Sequence, residues 1–451
     1  MKQLFLGAAA LSVGMALAAT ELTVSARQNW PWDAKVVIDL EMPAGTNDLA
    51  LVATFDAQGQ HHQIELGRGN GLRDYTFCLE GGAHRLIWDP ALAGLTGPIT
   101  DLLITAKSFT PEERAWLVID TVTGEAEYVP LNEAPTDAQG RRWQDPIYMY
   151  QKMVFRRIPA GRATVGYTAE QRSYLSGLST ATPTLMADRE VEFTSDYYIG
   201  IYQVSQGQAY RILKASSTNT STSGYHGTKG TATADPIGAG FVCFQRGSNA
   251  VEGISWPTTK YKVAPGSHIG RFRERCKNRF MIDLPTAAQW QRAARPDPQW
   301  IWYETPYGGG KVGDSCETLT NILESIAWSV TDYLKVGKKT YNPPSVPGKY
   351  LPNAFGLCDL VMSRVELTLD YWYSGNTMAA EVVDPVGPVR PYGNEARVCC
   401  NSFEASLALN TFALGLTSTK KGDDVCNADN EACYRYVINL KPPQSFGGQW
   451  E

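Results

Sequence analysis

Cysteine and histidine are the residues of this chain best suited to metal binding or redox chemistry. The 451 residues include nine cysteines and five histidines. No two cysteines have C-x-x-C spacing, and the histidines form neither an H-x-x-x-H nor an H-E-x-x-H pattern, so a zinc or non-haem iron site has little support. In an oxidising compartment the thiols would pair instead, and Cys426 and Cys433, which flank an acidic loop, are the most local candidates for a disulfide. Adjacent Cys399 and Cys400 would have to pair with distant partners.

Other motifs that could do chemistry are weaker. Gly308 to Lys311 reads Gly-Gly-Gly-Lys, but it lacks the spacing of a phosphate-binding loop and no strand precedes it, which favours a flexible turn. His61 and His62 are adjacent, and adjacent strand residues point to opposite faces, which favours a polar loop or edge over a metal site. The segment Trp30-Pro31-Trp32 could stack on a sugar or pack a domain edge.

Charge and composition limit the class of partner. The net charge is -5, and lysine and arginine form no cluster, which argues against nucleic acid and anionic membrane surfaces as partners. The hydrophobic content of 43% is sufficient for two or three packed domains. Small molecules, glycans and proteins remain as partners.

The N-terminal segment predicts export. Met1-Lys2-Gln3 is a short basic start, Leu4 to Leu17 is apolar, and Ala16-Leu17-Ala18 has the small-x-small pattern of a cleavage site. We therefore expect a signal peptide at residues 1–18 and a mature chain that begins near Ala19. No later stretch is long and apolar enough to span a bilayer, so we expect a periplasmic or extracellular protein with no membrane span after cleavage.

Short β-rich runs separated by turn residues predict an antiparallel β-sandwich at residues 19–135. Residues 136–144 are polar and predict a linker, which leaves 145–451 as a second domain. Ser216 to Thr233 is rich in Ser, Thr and Gly and predicts a surface loop in that domain. The predicted strands are Val36 to Leu40, Leu49 to Phe55, Gln63 to Leu66, Arg85 to Trp88, Leu102 to Thr105 and Trp116 to Ile119.

Two helix starts in the second domain carry a capping box, in which a hydroxyl and an amide three residues later bind backbone N–H groups at the helix start. Ser205 with Gln208 and Thr286 with Gln289 have this spacing. In the second helix an apolar stripe is predicted to face the core, and three polar residues are predicted to lie outside it. The stripe is Trp290, Ala293 and Ala294, and the polar residues are Gln291, Arg292 and Arg295. Short helices among long irregular stretches predict an α+β domain.

Five phrases occur in order along the second domain. They are Phe155 to Gly161, Ile199 to Tyr210, Gly253 to Trp256, Asp283 to Arg295 and Pro352 to Leu360. Together they resemble the formylglycine-generating enzyme (sulfatase-modifying factor) family. The fold that this resemblance implies is a loop-rich, C-type-lectin-like variant of the α+β class, preceded here by the antiparallel β-sandwich.

The resemblance does not extend to the catalytic cysteines. Family members that oxidise a substrate cysteine to formylglycine use two cysteines five residues apart, which bind copper just beyond a conserved strand. That strand corresponds here to Cys399 to Phe403, and the two positions correspond to Ala405 and Asn410. Neither side chain forms a thiolate or binds Cu(I), so copper is not expected at these positions. A relocated copper site at Cys399 or Cys400 and structural disulfides are the alternatives, of which disulfides are favoured.

The resemblance also implies structural calcium. In the family, one ion is bound by two side chains that match Asp359 and Glu366 and by two backbone carbonyls that match Met362 and Arg364. Hard oxygen ligands of this kind suit Ca²⁺, although these acids could equally be solvated or paired with arginine. A second ion would use four further residues: Asn321, Ile322, Asp332 and Leu334.

Two functions are compatible with these patterns. In the first, the domain is not catalytic and binds a glycan or an exported protein through the aromatic residues of Trp300 to Tyr307 and Tyr371 to Tyr373. In the second, it is a formylglycine-generating oxidase that matures sulfatases. The replacement of both cysteines favours binding, whereas the length of the resemblance favours the enzyme.

Overall fold

A computed structural model gives the fold of most of the chain. It describes residues 20–22, 24–178, 187–214, 268–326, 347–361, 365–371, 383–386, 397–400, 420–421 and 432–441. The predicted signal peptide and the predicted loop at Ser216 to Thr233 lie outside these ranges. No helix in the described part of the chain has the length and apolar character needed to cross a bilayer.

The first sheet is antiparallel throughout and is organised by one long strand. β3 (Val36–Ala57) pairs with four other strands, and the sheet path runs β1-β6-β3-β2, with β4 and β5 also paired to β3. The other strands are β1 (Thr20–Leu22), β2 (Val24–Gln28), β4 (Gln60–Glu65), β5 (Leu79–Trp88) and β6 (Thr100–Phe109).

A shift in register at Gly45 lets β3 serve two sets of partners. Val36 to Met42 pair with β2 and β5, Thr46 and Asn47 still pair with β5, and the residues from Asp48 onward pair with β4 and β6. Gly45 has a φ of 101°, which glycine adopts without steric cost. Across this irregularity the buried residues change from even numbers to odd numbers. They are Val36, Ile38, Leu40 and Met42, followed by Leu49, Leu51, Ala53 and Phe55.

These side chains share one hydrophobic core with Leu86, Trp88, Ile104 and Ala106. The short β-rich runs of the sequence therefore predicted antiparallel strands correctly, but Val36 to Leu40 and Leu49 to Phe55 belong to one strand, β3, instead of two. Burial of alternate side chains against a common core supplies their stabilisation, because each apolar side chain removed from water contributes about 1.5–3 kcal/mol.

The second sheet contains strands from both predicted domains. Its strands are β7 (Trp116–Asp120), β8 (Ala126–Val129), β9 (Lys152–Ile158), β12 (Tyr197–Gly200), β13 (Met281–Asp283) and β18 (Val437–Asn439). Their order is β13-β18-β12-β9-β7-β8, in which β7 pairs with β9 and β8 joins the sheet through β7, so both strands precede residue 135 but belong to the sheet of β9. The change from the first sheet to the second therefore lies between Phe109 and Trp116.

The segment predicted as an exposed linker, residues 136–144, packs against this sheet at its end. Trp143 is buried, and its ring centroid lies 5.6 Å from that of Trp116. Its backbone N–H donates to the carbonyl of Pro135, and Thr136 forms a β-bridge with Arg142. The linker prediction rested on the polar composition of this segment and missed that Trp143, its one large apolar side chain, packs into the core.

Two smaller sheets and short helices complete the described part. β10 (Gly161–Val165) pairs with β11 (Arg189–Phe193). A four-stranded sheet has the order β16-β15-β14-β17, formed by β14 (Val365–Tyr371), β15 (Arg397–Cys400), β16 (Lys420–Lys421) and β17 (Ala432–Cys433). The helices are α1 (Ile147–Tyr150), α2 (Ala169–Leu178), α3 (Gln206–Lys214), α4 (His268–Arg275), α5 (Ala287–Ala294) and α6 (Cys316–Ile326).

Both predicted capping boxes are present. Thr286 Oγ1 accepts from the backbone N–H of Gln289 at 3.1 Å, and the Gln289 side chain accepts from the Thr286 N–H at 3.0 Å. Ser205 and Gln208 form the same pair of bonds at the start of α3. These bonds satisfy N–H groups that the helix cannot, which fixes where α3 and α5 begin.

The predicted polar face of α5 is partly wrong. The apolar stripe is buried as expected, but Gln291 and Arg295 are buried as well. Gln291 Oε1 accepts from the backbone N–H of Gly166 at 3.0 Å, and Arg295 donates to the Gly166 carbonyl. A helix period cannot reveal such distant backbone partners, which make burial of these polar groups acceptable.

A buried ion cluster joins the two sheets. Arg157 on β9 donates to Asp48 on β3, and its Nε lies 2.7 Å from Asp196 Oδ2. The side chain of Asp48 has no solvent exposure and that of Arg157 is 3% exposed. Nearby, Gly69 lies so close to the Lys277 carbonyl that a Cβ would stand 1.9 Å from its oxygen. The sheets are therefore docked through both charge and close backbone packing.

Candidate functional site

The buried carboxylate of Glu366, on β14, is the centre of the second domain's polar core. Each of its oxygens accepts one hydrogen bond from Arg435, at 2.6 Å, and one from a neutral side chain, at 2.8 Å. The neutral donors are Gln203 Nε2 and Trp290 Nε1. Four hydrogen bonds use the full acceptor capacity of a carboxylate, which has about four lone-pair sites.

Arg435 is equally well satisfied. Besides Glu366, its guanidinium donates to the carbonyls of Gly200 at 3.0 Å, Ile201 at 3.2 Å and Cys358 at 3.2 Å. It has no solvent exposure. The two charges thus connect β14, the segment after β12, the helix that carries Trp290 and the residues just before β18. We call the Glu366–Arg435 ion pair the hub, because it holds these four segments together.

Asp359 lies beside this hub. It is fully buried, and its Oδ2 accepts from the backbone N–H of Gly348 at 2.6 Å. Burial raises the pKa of the Asp359 carboxyl to about 6, and the charge of Glu366 acts in the same direction, whereas the Gly348 hydrogen bond and Arg435 lower that pKa.

The described residues do not fit the predicted first calcium site as it was expected. Glu366 has no acceptor capacity left for a calcium ion. Its negative charge is already balanced by the guanidinium of Arg435, which occupies both carboxylate oxygens. Asp359 is the remaining side-chain ligand of that prediction. Met362 and Arg364, whose carbonyls would complete the site, lie outside the described residues.

The second predicted calcium site is described only in part. Asn321 and Ile322 lie within α6, and the Ile322 carbonyl accepts from the Ser325 hydroxyl at 2.6 Å. Asp332 and Leu334 lie outside the described residues. Within the described ranges, no three His, Cys, Asp or Glu side chains are placed to hold a metal ion together.

The positions that correspond to the family's copper cysteines, Ala405 and Asn410, also lie outside the described residues. The strand that leads to them is described. In β15, Cys400 pairs with Glu366 and Cys399 pairs with Leu367 on β14. The chain segment that precedes the two positions therefore runs next to the strand that carries Glu366.

The cysteine side chains that the structure describes are buried free thiols. They are Cys78, Cys276 and Cys358. Burial raises the pKa of Cys78 and of Cys276 to about 12 and raises the pKa of Cys358 as well. A thiol with such a pKa is protonated at neutral pH and is a poor nucleophile and a poor metal ligand.

The aromatic surface predicted at Trp300 to Tyr307 is mostly interior. Trp302 and Tyr303 are buried in the core, and Trp300 is half-buried beneath Lys311, whose Nζ lies 4.3 Å from the ring centroid. Only Tyr307 of this segment's aromatic residues is exposed, at 66%. Composition did not separate core aromatics from surface aromatics, because both contribute apolar area. The side chains of Tyr371 to Tyr373 lie outside the description.

The glycines before Lys311 have a packing role. A Cβ on Gly309 would stand 2.7 Å from Trp300, and one on Gly310 would stand 2.9 Å from Trp302. Glycine is therefore required for the backbone to lie against the two indoles. This closely packed turn replaces the flexible turn that the sequence predicted.

The paired histidines of the first sheet have separate partners. His61 Nδ1 lies 2.7 Å from Asp56 Oδ1, and the ring of His62 stacks on Phe55 with centroids 5.2 Å apart. The two imidazoles thus belong to different local contacts, as the alternation of strand side chains predicts.

Two buried groups were not anticipated from the sequence. One is the cluster of Arg157, Asp48 and Asp196 between the sheets. The other is His268, whose Nδ1 lies 2.8 Å from the hydroxyl of Tyr434. Burial lowers the pKa of His268 to about 4. The members of each group lie many residues apart in the sequence, so no local sequence pattern could have predicted their contact.

Comparison with known proteins gives one family. Residues 143–408 match the sulfatase-modifying factor enzyme 1-like domain. PvdO from Pseudomonas aeruginosa is 15% identical with a TM-score of 0.37, over 63% of this chain and 94% of PvdO. Treponema denticola variable protein 1 is 14% identical with a TM-score of 0.39, over 64% of this chain and 95% of its own. CarF is 14% identical with a TM-score of 0.29, over 63% and 99%. No curated protein matches the chain.

Proposed function

Because the chain belongs to the sulfatase-modifying factor enzyme 1-like domain family, we propose that it is a non-catalytic member that binds a glycan or an exported protein. The observation that carries the proposal is the identity of the two residues at the family's copper positions. Ala405 presents a methyl group and Asn410 an amide, and neither supplies the soft thiolate that Cu(I) requires.

The state of the described cysteines supports the same proposal. A relocated copper site needs thiolates that are exposed enough to receive the metal and acidic enough to ionise. Cys78, Cys276 and Cys358 are buried, and burial raises the pKa of each. None of these three is suited to copper chemistry.

A binding role needs an accessible and well-ordered surface, and the turn at Tyr307 has both properties. Thr305 and Gly308 exchange backbone hydrogen bonds at 3.1 and 2.9 Å, and Thr305 Oγ1 accepts from the Tyr307 N–H at 3.0 Å. The base of this turn is fixed because Gly309 packs on the half-buried Trp300 and Gly310 packs on the buried Trp302. A held tyrosine provides contact area at a low entropic cost.

The proposal includes the finer features that the sequence predicted. These are a C-type-lectin-like frame for the family domain, a sandwich arrangement of the first sheet, and export to a periplasmic or extracellular space. The shared core on both sides of Gly45 supports the sandwich, because residues from both halves of β3 contribute to it.

The alternative function is a formylglycine-generating oxidase with a relocated copper site. The observation in its favour is the register of β15, which sets Cys399 and Cys400 opposite Leu367 and Glu366. Cys400 would then lie near the centre of the domain. Under this alternative both cysteines would be reduced in the active protein, whereas the binding function leaves them free to form disulfides.

Competition for copper distinguishes the two functions. Full-length protein is titrated into a Cu(I)-chelator complex whose visible absorbance reports the amount of intact complex. We expect the protein to leave the complex intact. Stoichiometric removal of Cu(I) by the native protein, lost in Cys400→Ser and retained in Cys426→Ser, would overturn the proposal.

The binding arm is tested with a glycan microarray and with cross-linking to exported proteins. Tyr307→Ala should weaken binding of the glycan or of the protein partner. The matched control is Leu92→Ala, because Leu92 is an apolar side chain that is 69% exposed but lies between strands of the first sheet. Equal binding by both variants would contradict a role for the Tyr307 turn.

A further inference from the structure

The exposed tryptophans in the described part of the chain lie in one loop. Of the eight tryptophans in the described residues, five are buried and Trp300 is half-buried. The remaining two are Trp30, at 42% exposure, and Trp32, at 83%. Both lie in the connection between β2 and β3, residues 29–35, here called the tryptophan loop. An indole has about 150–250 Å² of surface to bury, so leaving two of them in water forgoes a large stabilisation unless a ligand covers them.

Hydrogen bonds fix the tryptophan loop at its base and across its turn. Gln28 Nε2 donates to the Ala34 carbonyl at 2.7 Å, while Gln28 Oε1 accepts from the Ile99 N–H at 2.8 Å. Within the turn, the Asp33 N–H donates to the Asn29 carbonyl and Asp33 Oδ1 accepts from the Lys35 N–H, both at 2.9 Å. The loop is therefore organised before any ligand arrives, which lowers the entropic cost of binding.

We propose that Trp30 and Trp32 form a carbohydrate-binding platform for neutral pyranose oligosaccharides. A pyranose ring presents a face of C–H groups bordered by hydroxyls. The negative face of an indole attracts those C–H groups, and the backbone and amide groups beside it can hydrogen-bond the hydroxyls. Two indoles on one short loop match successive rings of an oligosaccharide chain.

The size and surroundings of the apolar area favour a sugar over a protein. A stable protein interface buries about 800 Å² on each partner and has a core depleted in charged residues. Within the tryptophan loop the large exposed apolar side chains are the two indoles and Pro31. The outward face of the adjoining strands carries charged side chains, with Arg27 and Arg85 both paired to Asp39. A compact aromatic area surrounded by polar groups suits a few sugar rings.

The test uses full-length protein in native gels that contain a soluble polysaccharide: hydroxyethyl cellulose, glycol chitin, xylan, dextran or starch. Migration should be retarded by at least one of them, and the matching hexasaccharide should bind in a calorimeter. Trp32→Ala and Trp30→Ala should each weaken binding by about tenfold or more. Because Trp32 is 83% exposed, its truncation should leave the fold intact, which the thermal unfolding curve checks.

Two controls separate this site from the proposed function of the family domain. Leu92→Ala removes another exposed apolar side chain and should bind as the unaltered protein does. Tyr307→Ala removes an exposed aromatic side chain of the family domain and tests whether the sugar is held there instead. Retardation by none of the polysaccharides would overturn the platform and leave the family domain's proposed function standing. Sugar binding lost in Tyr307→Ala but kept in Trp32→Ala would also overturn it, as would binding to phosphatidylglycerol vesicles that Trp32→Ala abolishes.

Discussion

Arg435 and Glu366 form an ion pair without solvent exposure, in which two guanidinium nitrogens each lie 2.6 Å from a different carboxylate oxygen. Removal of one charge leaves the other buried without compensation. We therefore expect Glu366→Gln to lower the free energy of unfolding by about 3–5 kcal/mol. Urea denaturation of the purified protein measures this change.

The control for this variant is Glu192→Gln. Glu192 lies 3.9 Å from Arg162 on the surface, where water screens both charges, so little change is expected. If Glu366→Gln were as stable as the Glu192→Gln control, the hub at Glu366 would not be structural.

Calcium should not stabilise the protein through Glu366. An ion bound only to the folded state would stabilise it by about 2.7 kcal/mol at one hundred times its dissociation constant. Because Arg435, Gln203 and Trp290 occupy the carboxylate, we expect the same melting temperature in EDTA and in excess calcium. A calcium-dependent rise that is lost in Asp359→Asn would contradict this expectation and show that an ion binds at Asp359.

The two sheets should unfold together because Arg157 links them. Replacement of Arg157 by Met leaves the carboxylates of Asp48 and Asp196 buried beside an apolar side chain, which should cost about 3–5 kcal/mol. We expect one cooperative thermal transition in the unaltered protein and a lower or divided transition in Arg157→Met. Differential scanning calorimetry makes the measurement, with exposed Arg162→Met as the control. Two separate transitions in the unaltered protein would contradict the docking.

His268 should make stability depend on pH. Its folded-state pKa, lowered by burial to about 4, lies below the ordinary value of 6.5. The unfolded chain therefore binds the proton first as the pH falls, so this contribution to stability is present above about pH 6.5 and is lost progressively toward pH 4, up to about 3 kcal/mol. His268→Gln should lack this part of the pH dependence. Parallel curves for the two proteins between pH 4 and 6.5 would contradict it.

Local patterns in the sequence predicted local structure well. The capping boxes at Ser205 and Thr286 and the β-rich runs within β3 depend on neighbours within a few residues, and the structure confirms them. The sequence did not predict which sheet each strand joins. The apolar run Trp116 to Ile119 predicts a strand but says nothing of its partner, so the boundary predicted at residue 135 divided a continuous sheet.

The candidate site was predictable only in part for the same reason. Resemblance to the family singled out Asp359 and Glu366, and the structure places both in the buried core. The partner of Glu366 is Arg435, which lies 69 residues further along the chain, so no local spacing could pair the two. Trp302 and Tyr303 show the opposite error, because aromatic composition alone predicted a surface where the fold has a core.

We propose that this family member does not generate formylglycine. The most direct test incubates copper-loaded, full-length protein with a sulfatase-derived peptide that contains a cysteine, in the presence of oxygen, and records the peptide mass. With Ala405 and Asn410 at the copper positions, the mass should stay unchanged. Conversion of the peptide cysteine to an aldehyde, abolished by Cys399→Ser or Cys400→Ser and retained in Cys426→Ser, would contradict the claim and establish a relocated copper site.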